Sequence, residues 1–384
     1  MDIIKLLEQE DDWHVLLTFL PSGWQEKAVK SGALVRNRKF TAETLLRTLL
    51  IHLAEGCSLR ETAVRAKLGG VANVSDVALL KRLKASGEWL RWMASELMAM
   101  WITKQPSFIY DLGYRIRIID GSTIQEPGAT GSSWRLHYSI ELPQLRCDEV
   151  YVTEPVIGES FKQFSVKPKD LFIGDRGFGN RNSVRHVVEN GGAVLVRINA
   201  TNLPLKDKDN KFDLPTRLRT LKKTQAGDWD VLVPYDNSTH ICGRLCAIKK
   251  SKEAAERARR KAIQESSKKG HVPKPETIEI AEYVMVFTTL ESKFKASTIL
   301  EMYRGRWQIE LIFKRLKSIL GLGHLKKIDP EGAKAWIHGK LFVAFLIEAL
   351  VSCGESFFPW GYPLPPELAE SMPLERNSYD GTLA

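Results

Sequence analysis

The sequence predicts an α/β protein: a mixed-sheet domain that follows an α-helical N-terminal domain and carries a mainly β insertion. Helical hydrophobic spacing dominates the beginning of the chain, and short apolar strands alternate with helices from about residue 106. A basic, polar stretch then interrupts this alternation after residue 200. With 384 residues, 43% of them hydrophobic, the chain can form two or three globular domains.

Residues 1–104 are predicted to be helical. Thr41, Ser58 and Ser75 stand where helix N-caps are expected, and each precedes an apolar run with helical spacing. The runs are AETLLRTLLIHLAEG, LRETAVRAKLGG and DVALLKRLKASGEWLRWMASELMAMW. Two short helices, a turn and a basic third helix loosely resemble a helix-turn-helix, with the cations Lys81, Arg82 and Lys84. An ordinary helical bundle explains the pattern equally well.

Residues 105–199 are predicted to form the first part of the mixed sheet, and two of its strands end on a carboxylate. RIRIID ends on Asp120, and the apolar strand in DLFIGDRG ends on Asp175. The segment NRNSVRHVVENGG has a helical pattern that glycines terminate. The other predicted strands are WRLHYSIEL, CDEVYVTEP and AVLVRIN.

Residues 200–290 are predicted to form a β-rich basic insertion. It holds a loop, LKDKDNKFD, and the strands WDVLVPY, HICGRLCAIKK and EYVMVFTTL. Between Lys249 and Lys274, ten Lys and Arg stand against three Glu, a net charge of +7 in a chain whose total is +10. Because the excess is concentrated in one segment, a phosphate-binding arm is favoured over a solvated helix and linker.

Residues 291–353 are predicted to complete the sheet domain with a helix, YRGRWQIELIFKRLKSILGL. On a continuous α-helix, a polar row falls within an arc of roughly 60° beside the apolar face. The row contains Tyr303, Arg306, Glu310 and Lys317, with Lys314 close to it. Taken alone, this spacing is more typical of surface ion pairs than of a functional site.

The chain is expected to be a cytoplasmic protein without a membrane span. Its beginning lacks the basic start and apolar run of a signal peptide, and its five cysteines are scattered without zinc-ligand spacing. The apolar segment LFVAFLIEALVSC is interpreted as a buried helix too short to cross a bilayer, and residues 354–384 as a Pro-rich, extended tail. A pI of about 9.2 favours a polyanionic partner, either nucleic acid or a membrane surface.

Asp120, Asp175 and Glu310 are the candidate catalytic residues. A carboxylate that follows an apolar strand and precedes glycine lies at a sheet edge, where it must be paired or bound to a cation. Three such carboxylates, without Cys or His beside them, suit Mg²⁺, or Mn²⁺ as a substitute. Two ions can activate an attacking oxygen and stabilise a leaving one at phosphorus. Structural ion pairs with Arg176 and Arg306 remain the alternative.

The helix row carries a resemblance to a known family. Tyr303, Arg306, Glu310 and Lys317 form an uninterrupted Tyr-x2-Arg-x3-Glu-x6-Lys signature. It resembles that of the bacterial insertion-sequence transposases of the "IS-four" type, whose catalytic domain is RNase-H-like with an Asp-Asp-Glu site. Asp120 in DGST and Asp175 in DRGF match the contexts of the two aspartates in that family.

The resemblance implies a role for each matching residue. Asp120, Asp175 and Glu310 would bind two Mg²⁺ ions. Phosphates of the transposon end would be contacted by Tyr303, Arg306 and Lys317, with Lys314 nearby. A tryptophan, either Trp307 or Trp229, would stack on a displaced base. Double-stranded DNA ends, target DNA and a second copy of the chain are the implied partners, with end binding in the N-terminal domain.

The predicted function is therefore cleavage of transposon ends and their joining to target DNA. A metal-dependent nuclease of the same fold, acting without strand transfer, is one alternative. A catalytically silent DNA-binding regulator derived from a transposase is another, although all three carboxylates are present.

Overall fold

The computed structural model describes most of the chain between residues 12 and 357. The described residues are 12–35, 39–104, 113–126, 128, 133–198, 202–208, 210–222, 225–235, 239–268, 270–323, 325 and 329–357. The tail predicted from residue 354 lies outside them except for residues 354–357. Those four residues are helical rather than extended, because the preceding helix continues through them.

The N-terminal region is a bundle of helices that begin at the expected caps. The Thr41 and Ser58 hydroxyls accept backbone hydrogen bonds from Thr44 (3.1 Å) and Glu61 (3.1 Å), and Ser75 caps its helix in the same way. The helices are α1 (Asp12–Leu17), α2 (Trp24–Lys30), α3 (Ala42–Leu53), α4 (Leu59–Leu68), α5 (Asp76–Ala85) and α6 (Gly87–Lys104).

The third predicted helical run is two helices, α5 and α6, because the chain turns at Ser86. At the end of α5, the Arg82 carbonyl accepts hydrogen bonds from both the hydroxyl (2.7 Å) and the amide (3.0 Å) of Ser86. Gly87 then begins α6, where a methyl group would lie 3.3 Å from Cβ of Ala335 in the last helix of the chain. The absence of a side chain at Gly87 thus allows close packing of α6 against that helix.

Two of the three cations of the possible helix-turn-helix bind other groups of the protein itself. Arg82 donates to the Ala33 carbonyl (3.1 Å), and Lys84 pairs with Asp329 (3.0 Å). The helices also share one core with the C-terminal helix. These contacts and the shared core are typical of a helical bundle. DNA binding by this region stays a prediction.

One sheet of ten strands forms the centre of the described structure. Its order is β3-β2-β1-β4-β5-β10-β9-β8-β6-β7; β1, β4 and β5 are parallel, and all other neighbours are antiparallel. The strands are β1 (Arg115–Ile124), β2 (Trp134–Glu141), β3 (Arg146–Thr153), β4 (Asp170–Gly174), β5 (Ala193–Arg197), β6 (Lys206–Asp207), β7 (Asn210–Lys211), β8 (Gly227–Pro234), β9 (His240–Lys249) and β10 (Tyr283–Thr288).

The strands of the predicted insertion continue this sheet. β10 pairs with β5 on one side and with β9 on the other, so β8 and β9 extend the sheet beyond the parallel strands. The predicted loop LKDKDNKFD contains the short hairpin β6–β7 instead, because Lys206 pairs with Lys211 across a tight turn.

Helices cover both faces of the sheet. The N-terminal helices and the last helices of the chain bury one face, and a Phe- and Val-rich cluster with α7 and α8 buries the other. The remaining helices are α7 (Arg181–Glu189), α8 (Leu214–Arg219), α9 (Lys252–Lys268), α10 (Pro275–Ile280), α11 (Ala296–Arg304), α12 (Trp307–Lys314) and α13 (Pro330–Phe357).

The last helix, α13, is longer than the sequence indicated. Within its 28 residues, the stretch Pro330–Ser352 is long and apolar enough to cross a membrane, so the expectation of a segment too short to span is wrong. However, 67% of its most apolar window is buried inside the protein, and it packs along α6. This packing is that of a core helix, as the sequence predicted.

Candidate active site

Asp120 lies inside β1, rather than at the strand's end as expected. The strand continues to Ile124 because β2 pairs with it along this whole length. On the other side, the pair Ile119–Gly174 is the last one between β1 and β4. From Asp120 onwards, the β4 side of the strand is therefore open, and this is the sheet edge at which the side chain lies.

Asp175 follows β4 directly, one position beyond the same last pair. Its Oδ1 accepts a hydrogen bond from the Gly177 amide (2.7 Å), which fixes the loop DRGF. Phe178 anchors the loop from below: its ring is buried and stacks on Phe161 with 4.9 Å between the centroids. Because β1 and β4 are adjacent and parallel, Asp120 and Asp175 are brought to one place, as predicted.

The helix that carries the signature row is not continuous. α11 ends at Arg304, and the amide groups of Gly305 and Arg306 bond three residues back, to Met302 and Tyr303 (both 3.1 Å). After α12, residues Arg315–Ile319 form a wider π-helical turn. The prediction of one regular α-helix is therefore wrong at both places, and the ideal 100° spacing does not hold from Tyr303 to Lys317.

Arg306 occupies the space between two of the three predicted catalytic carboxylates. Its Nη1 lies 3.4 Å from Oδ2 of Asp120, and its Nη2 pairs with Glu310. The Glu310 side chain is 58% exposed, whereas those of Asp120 and Arg306 are 14% and 19% exposed. Glu310 is thus linked to Asp120 through Arg306. The structural ion pair considered as an alternative is formed by Arg306, whereas Arg176 is exposed and has no ion pair with a described residue.

A fourth carboxylate, Glu159, approaches the two aspartates and was missed in the sequence. A methyl group at Gly121 would lie 3.0 Å from its Oε1, and one at Gly177 would overlap with Oε2. The two glycines, each close to one aspartate in sequence, thus leave the room that Glu159 fills. Its only sequence signal is its place before Ser160, which caps a 3₁₀ turn at Phe161–Gln163.

The negative charges of Asp120, Asp175 and Glu159 are only partly compensated by nearby cations. Burial, Asp175 and Glu159 raise the pKa of Asp120 to about 7, against the opposing effects of the Gly121 amide and Arg306. Burial and Asp175 likewise raise the pKa of Glu159, and Arg135 lowers it. A cation would relieve this repulsion, and carboxylate oxygens are the donors that hard divalent ions prefer. The donor chemistry therefore fits Mg²⁺ or Mn²⁺.

The described residues do not yet hold three ligands together. No group of three or more His, Cys, Asp or Glu side chains among them is arranged to hold a metal ion. The reason is visible in the ion pairs, since Arg306 lies where Glu310 would have to approach Asp120. Two of the predicted ligands are brought together, and the third is kept apart by an arginine.

The predicted DNA-contacting residues lie around this place with different exposure. Tyr303 is half-buried, and burial raises its pKa; Lys314 is exposed. Lys317 is half-buried, burial lowers its pKa, and it lines an open cleft of about 310 Å³ together with Thr123 and Gln125 of the β1 end.

The two candidate tryptophans differ in their surroundings. The Trp307 side chain is 50% exposed, which is unusual for so large an apolar group. Trp229 packs against Phe212, with 6.2 Å between the ring centroids, and lies over Gly227. Of the two, Trp307 has the ring that a base can reach.

Comparisons with known proteins agree with the sequence resemblance. Residues 152–346 match the model of the transposase DDE domain. The chain is 34% identical to the putative transposase InsL of insertion sequence element IS186A from Escherichia coli K12, over 91% of this chain and 96% of the relative. It is also 34% identical to the transposase of insertion sequence element IS421 from Escherichia coli, with the same coverage.

A solved structure, that of piggyBac transposase in a synaptic complex with hairpin DNA, aligns with 94% of this chain and 84% of its own. Its TM-score is 0.43 at 9% identity. The sequence comparisons define the class of protein: the chain is a transposase, an enzyme that cuts and transfers DNA. It belongs to the family of insertion-sequence transposases with a DDE domain.

Proposed function

We propose that this transposase cleaves the ends of an insertion sequence and joins them to target DNA by two-metal phosphoryl transfer. The observation that carries the mechanism is the pairing of β1 with β4, which puts Asp120 and Asp175 side by side. The strand order β3-β2-β1-β4-β5, with β1, β4 and β5 parallel, supports an RNase-H-like catalytic domain.

Asp120, Asp175 and Glu310 are the residues that would hold the two ions. When bound, Mg²⁺ would lower the pKa of an attacking water or 3′-hydroxyl and stabilise charge on the leaving oxygen. The protein's own part is positional: the Gly177 amide orients Asp175, and the Gly121 amide donates to Oδ1 of Asp120 (2.8 Å). For Glu310 to join them, its ion pair with Arg306 has to open.

Arg306 has a second role in this proposal, because the guanidinium that leaves Glu310 is free to take a DNA phosphate. Tyr303 precedes it by one turn and Lys317 lines the cleft at the end of β1, so three donors surround the place where the scissile strand would lie. Lys314 adds an exposed cation, and Trp307 an exposed ring for a displaced base.

The domain assignment belongs to the same proposal. Residues 1–104 would bind the transposon ends, residues 105–199 and 291–353 would form the catalytic domain, and residues 200–290 the basic insertion. The partners would be double-stranded DNA and a second copy of the chain, since two ends must be held together. A cytoplasmic location, with access to the nucleoid, fits this work.

An end-cleavage and strand-transfer assay tests the proposal. The substrate is a duplex with the inverted repeats that flank the gene, supplied with Mg²⁺ and a target plasmid. The wild-type protein is expected to nick the ends and join them to the plasmid. Glu310→Gln is expected to bind the duplex while losing at least 10³-fold in cleavage, because it keeps the shape and removes the charge.

Each alternative has its own outcome in this assay. Cleavage without joining, even of a pre-nicked end, would identify a nuclease. Salt-dependent binding without cleavage under Mg²⁺ or Mn²⁺ would identify a silent regulator. Full cleavage by Glu310→Gln would remove Glu310 from the catalytic set.

A further inference from the structure

The helix α9 (Lys252–Lys268) is a surface helix attached by a narrow face. Of its 17 residues, only Ala255 is buried. The residues that are partly buried with it are small and lie on the same side, at helical spacing: Ala254, Ala258, Ala262 and Ser266. The rest of the helix faces solvent, so its outer surface is available to a partner.

Three cations form a row on the outer surface of α9. Arg257, Lys261 and Lys268, with Gln264 between them, are spaced 4, 3 and 4 residues apart. At 100° per residue, the four fall within an arc of roughly 60°, whose centre lies about 110° around the helix from the centre of the attached face. All four are exposed. We call Arg257, Lys261 and Lys268 the basic row of α9.

Ion pairs distinguish the basic row from Arg259 and Arg260 of the same helix. Outside the row, Arg260 pairs with Glu256 (2.5 Å) and Arg259 with Glu282 (3.3 Å). Within the described part of the chain, none of the three row cations lies within 4.0 Å of a carboxylate oxygen. Lys252, at the first position of α9, has no such partner among the described residues either, so three of the four cations of the helix without an ion pair fall within one arc of about 60°. A cation at the C-terminus of a helix stabilises it through the helix dipole, which explains Lys268. It does not explain Arg257, which lies near the start of the helix.

The topology places the start of α9 at the same end of the sheet as the catalytic carboxylates. β4 ends before Asp175, and β5, which is parallel to it, ends at Arg197. β10 is antiparallel to β5 and β9 is antiparallel to β10, so Lys249, the last residue of β9, also lies at that end. The helix begins three residues later.

Arg197, which pairs with Val286 of β10, lies between the two places. Arg197 is exposed at the end of β5; together with burial, it lowers the pKa of Lys250 to about 8. It also acts on Tyr303, whose pKa it lowers against the larger effect of burial. Arg197 is therefore close to the signature row on one side and to the base of α9 on the other.

The base of α9 is fixed to the sheet rather than hinged. Lys250 Nζ donates to the Ala281 carbonyl (2.6 Å), and Glu282 pairs with Lys249 (3.5 Å) as well as with Arg259 of the helix. A row of cations held in a fixed direction loses less conformational entropy on binding than a flexible basic tail would.

We propose that the basic row of α9 binds the phosphate backbone of double-stranded DNA that extends from the active site. The row is about 16 Å long, at 1.5 Å per residue, which is the length of about five nucleotide steps on one strand at 3.4 Å each. This inference rests on the proposed function, because it takes DNA at the carboxylates as the starting point of that path.

The salt dependence of DNA binding tests the inference. The variant Arg257→Gln/Lys261→Gln/Lys268→Gln keeps good helix formers and removes three charges. If each of these charges neutralises one phosphate, their removal makes the slope of log K against log salt less steep by about 2.7. Between 50 and 200 mM salt, the wild-type affinity is thus expected to fall about 40-fold more than that of the variant.

Two further variants serve as controls on the same helix. Lys252→Gln/Arg259→Gln/Arg260→Gln removes the same charge from other faces and is expected to keep most of the wild-type slope. Arg257→Lys/Lys261→Arg/Lys268→Arg keeps the charges and is expected to bind as the wild type does. Both the end duplex and an unrelated duplex are used; equal effects are expected, since phosphate contacts carry no sequence information.

The outcomes separate this inference from the proposed function. If the wild type cleaves its end duplex and the row variant keeps the wild-type slope, the inference is wrong and the function stands. The same holds if the control triple variant loses as much slope as the row variant, because net charge alone would then explain the loss. If the wild type neither binds nor cleaves the end duplex, the proposed function itself fails.

Discussion

Nη1 of Arg306 lies 3.4 Å from Oδ2 of Asp120, while Nη2 of the same guanidinium pairs with Glu310. One guanidinium thus contacts two of the predicted metal ligands, Asp120 and Glu310, each through a different nitrogen. Arg306 stabilises the carboxylates where they would otherwise repel one another and Asp175. The same contact keeps Glu310 from Asp120, so a divalent ion bound by these oxygens would compete with Arg306.

Replacing Arg306 by glutamine is expected to strengthen metal binding by the DNA-free protein. A half-exposed ion pair is worth up to about 1 kcal/mol, so the affinity for Mn²⁺ should rise by up to about fivefold. Titration of Mn²⁺ followed by electron paramagnetic resonance measures this affinity without any turnover. Arg304→Gln, which removes an exposed pair with Glu301, is the matched control. A weaker affinity in Arg306→Gln would contradict the competition.

Glu159→Gln is expected to lower the affinity for Mn²⁺ and to raise the melting temperature of the metal-free protein slightly. Both effects have one cause: the variant removes a negative charge that acts on Asp120 and Asp175. Calorimetric titration and thermal unfolding, in the same buffer, measure the two quantities. Glu154→Gln, at an exposed position nearby, should change neither. An unchanged Mn²⁺ affinity in Glu159→Gln would show that its carboxylate has no part in the site.

Alanine at Gly177 and at Gly243 should have opposite consequences. At Gly177, the new methyl group meets the end of the Glu159 side chain, which can turn away, so cleavage should fall at least tenfold with little loss of stability. At Gly243, it meets the Phe287 ring (2.5 Å) and the Thr288 carbonyl (2.7 Å), which cannot move freely. Overpacking of this kind costs about 1–3 kcal/mol. The cleavage assay and thermal unfolding measure the two effects. A clearly lowered melting temperature of Gly177→Ala would contradict this expectation.

Local chemistry was enough to predict most helices and strands and the proximity of the two aspartates. Caps such as Thr41 and Ser58 act within four residues, so the sequence beside them determines the helix start. The proximity of Asp120 and Asp175 followed from one assumption, that two apolar strands are neighbours. Glu159 could not be found in this way, because it reaches the site from an irregular segment between β3 and β4.

The details of the signature helix depended on tertiary contacts. Ideal helix geometry predicted a straight row, whereas the turns at Gly305 and Arg315–Ile319 follow the packing of α11 and α12 on the sheet. Arg306 was predicted to contact DNA, with an ion pair as the alternative. The pair with Glu310 is local, four residues along the same helix, whereas the contact with Asp120 joins residues 186 apart in sequence and depends on the position of the sheet.

A buried ion network at the start of β1 should be essential for stability. Arg117 is fully buried and contacts Asp148 (2.5 Å), Glu149 (2.7 Å) and Asp170 (3.3 Å). In Arg117→Met, buried carboxylates lose their counter-charge, which costs about 3–5 kcal/mol. Urea unfolding measures the loss. Arg65→Met, which breaks two half-exposed pairs, should cost less than about 1 kcal/mol. Equal costs for the two variants would contradict this ranking.

Two histidines should make the protein less stable in mild acid. Burial, and the charge of Arg135, lower the pKa of His137 to about 4, and burial lowers that of His338 to about 4 as well. As the pH falls below about 6.5, the unfolded chain binds protons that the folded protein excludes. The contribution of each histidine to the free energy of unfolding is therefore fully retained above pH 6.5 and decreases until about pH 4, by at most about 3 kcal/mol. The raised pKa values of Asp120 and Glu348 act in the opposite direction over the same range.

Urea midpoints of the wild type and of His137→Gln at pH 7.5, 6.0 and 5.0 isolate the contribution of His137, because the other groups titrate alike in both proteins. Glutamine retains a donor and an acceptor for the Thr153 hydroxyl, which lies 2.8 Å from Nε2 of His137, and it does not titrate. The exposed His240, changed to glutamine in the same way, should leave the pH dependence as it is. If His137→Gln loses stability in acid as steeply as the wild type, His137 is protonated in the folded state, and the low pKa assigned to it is wrong.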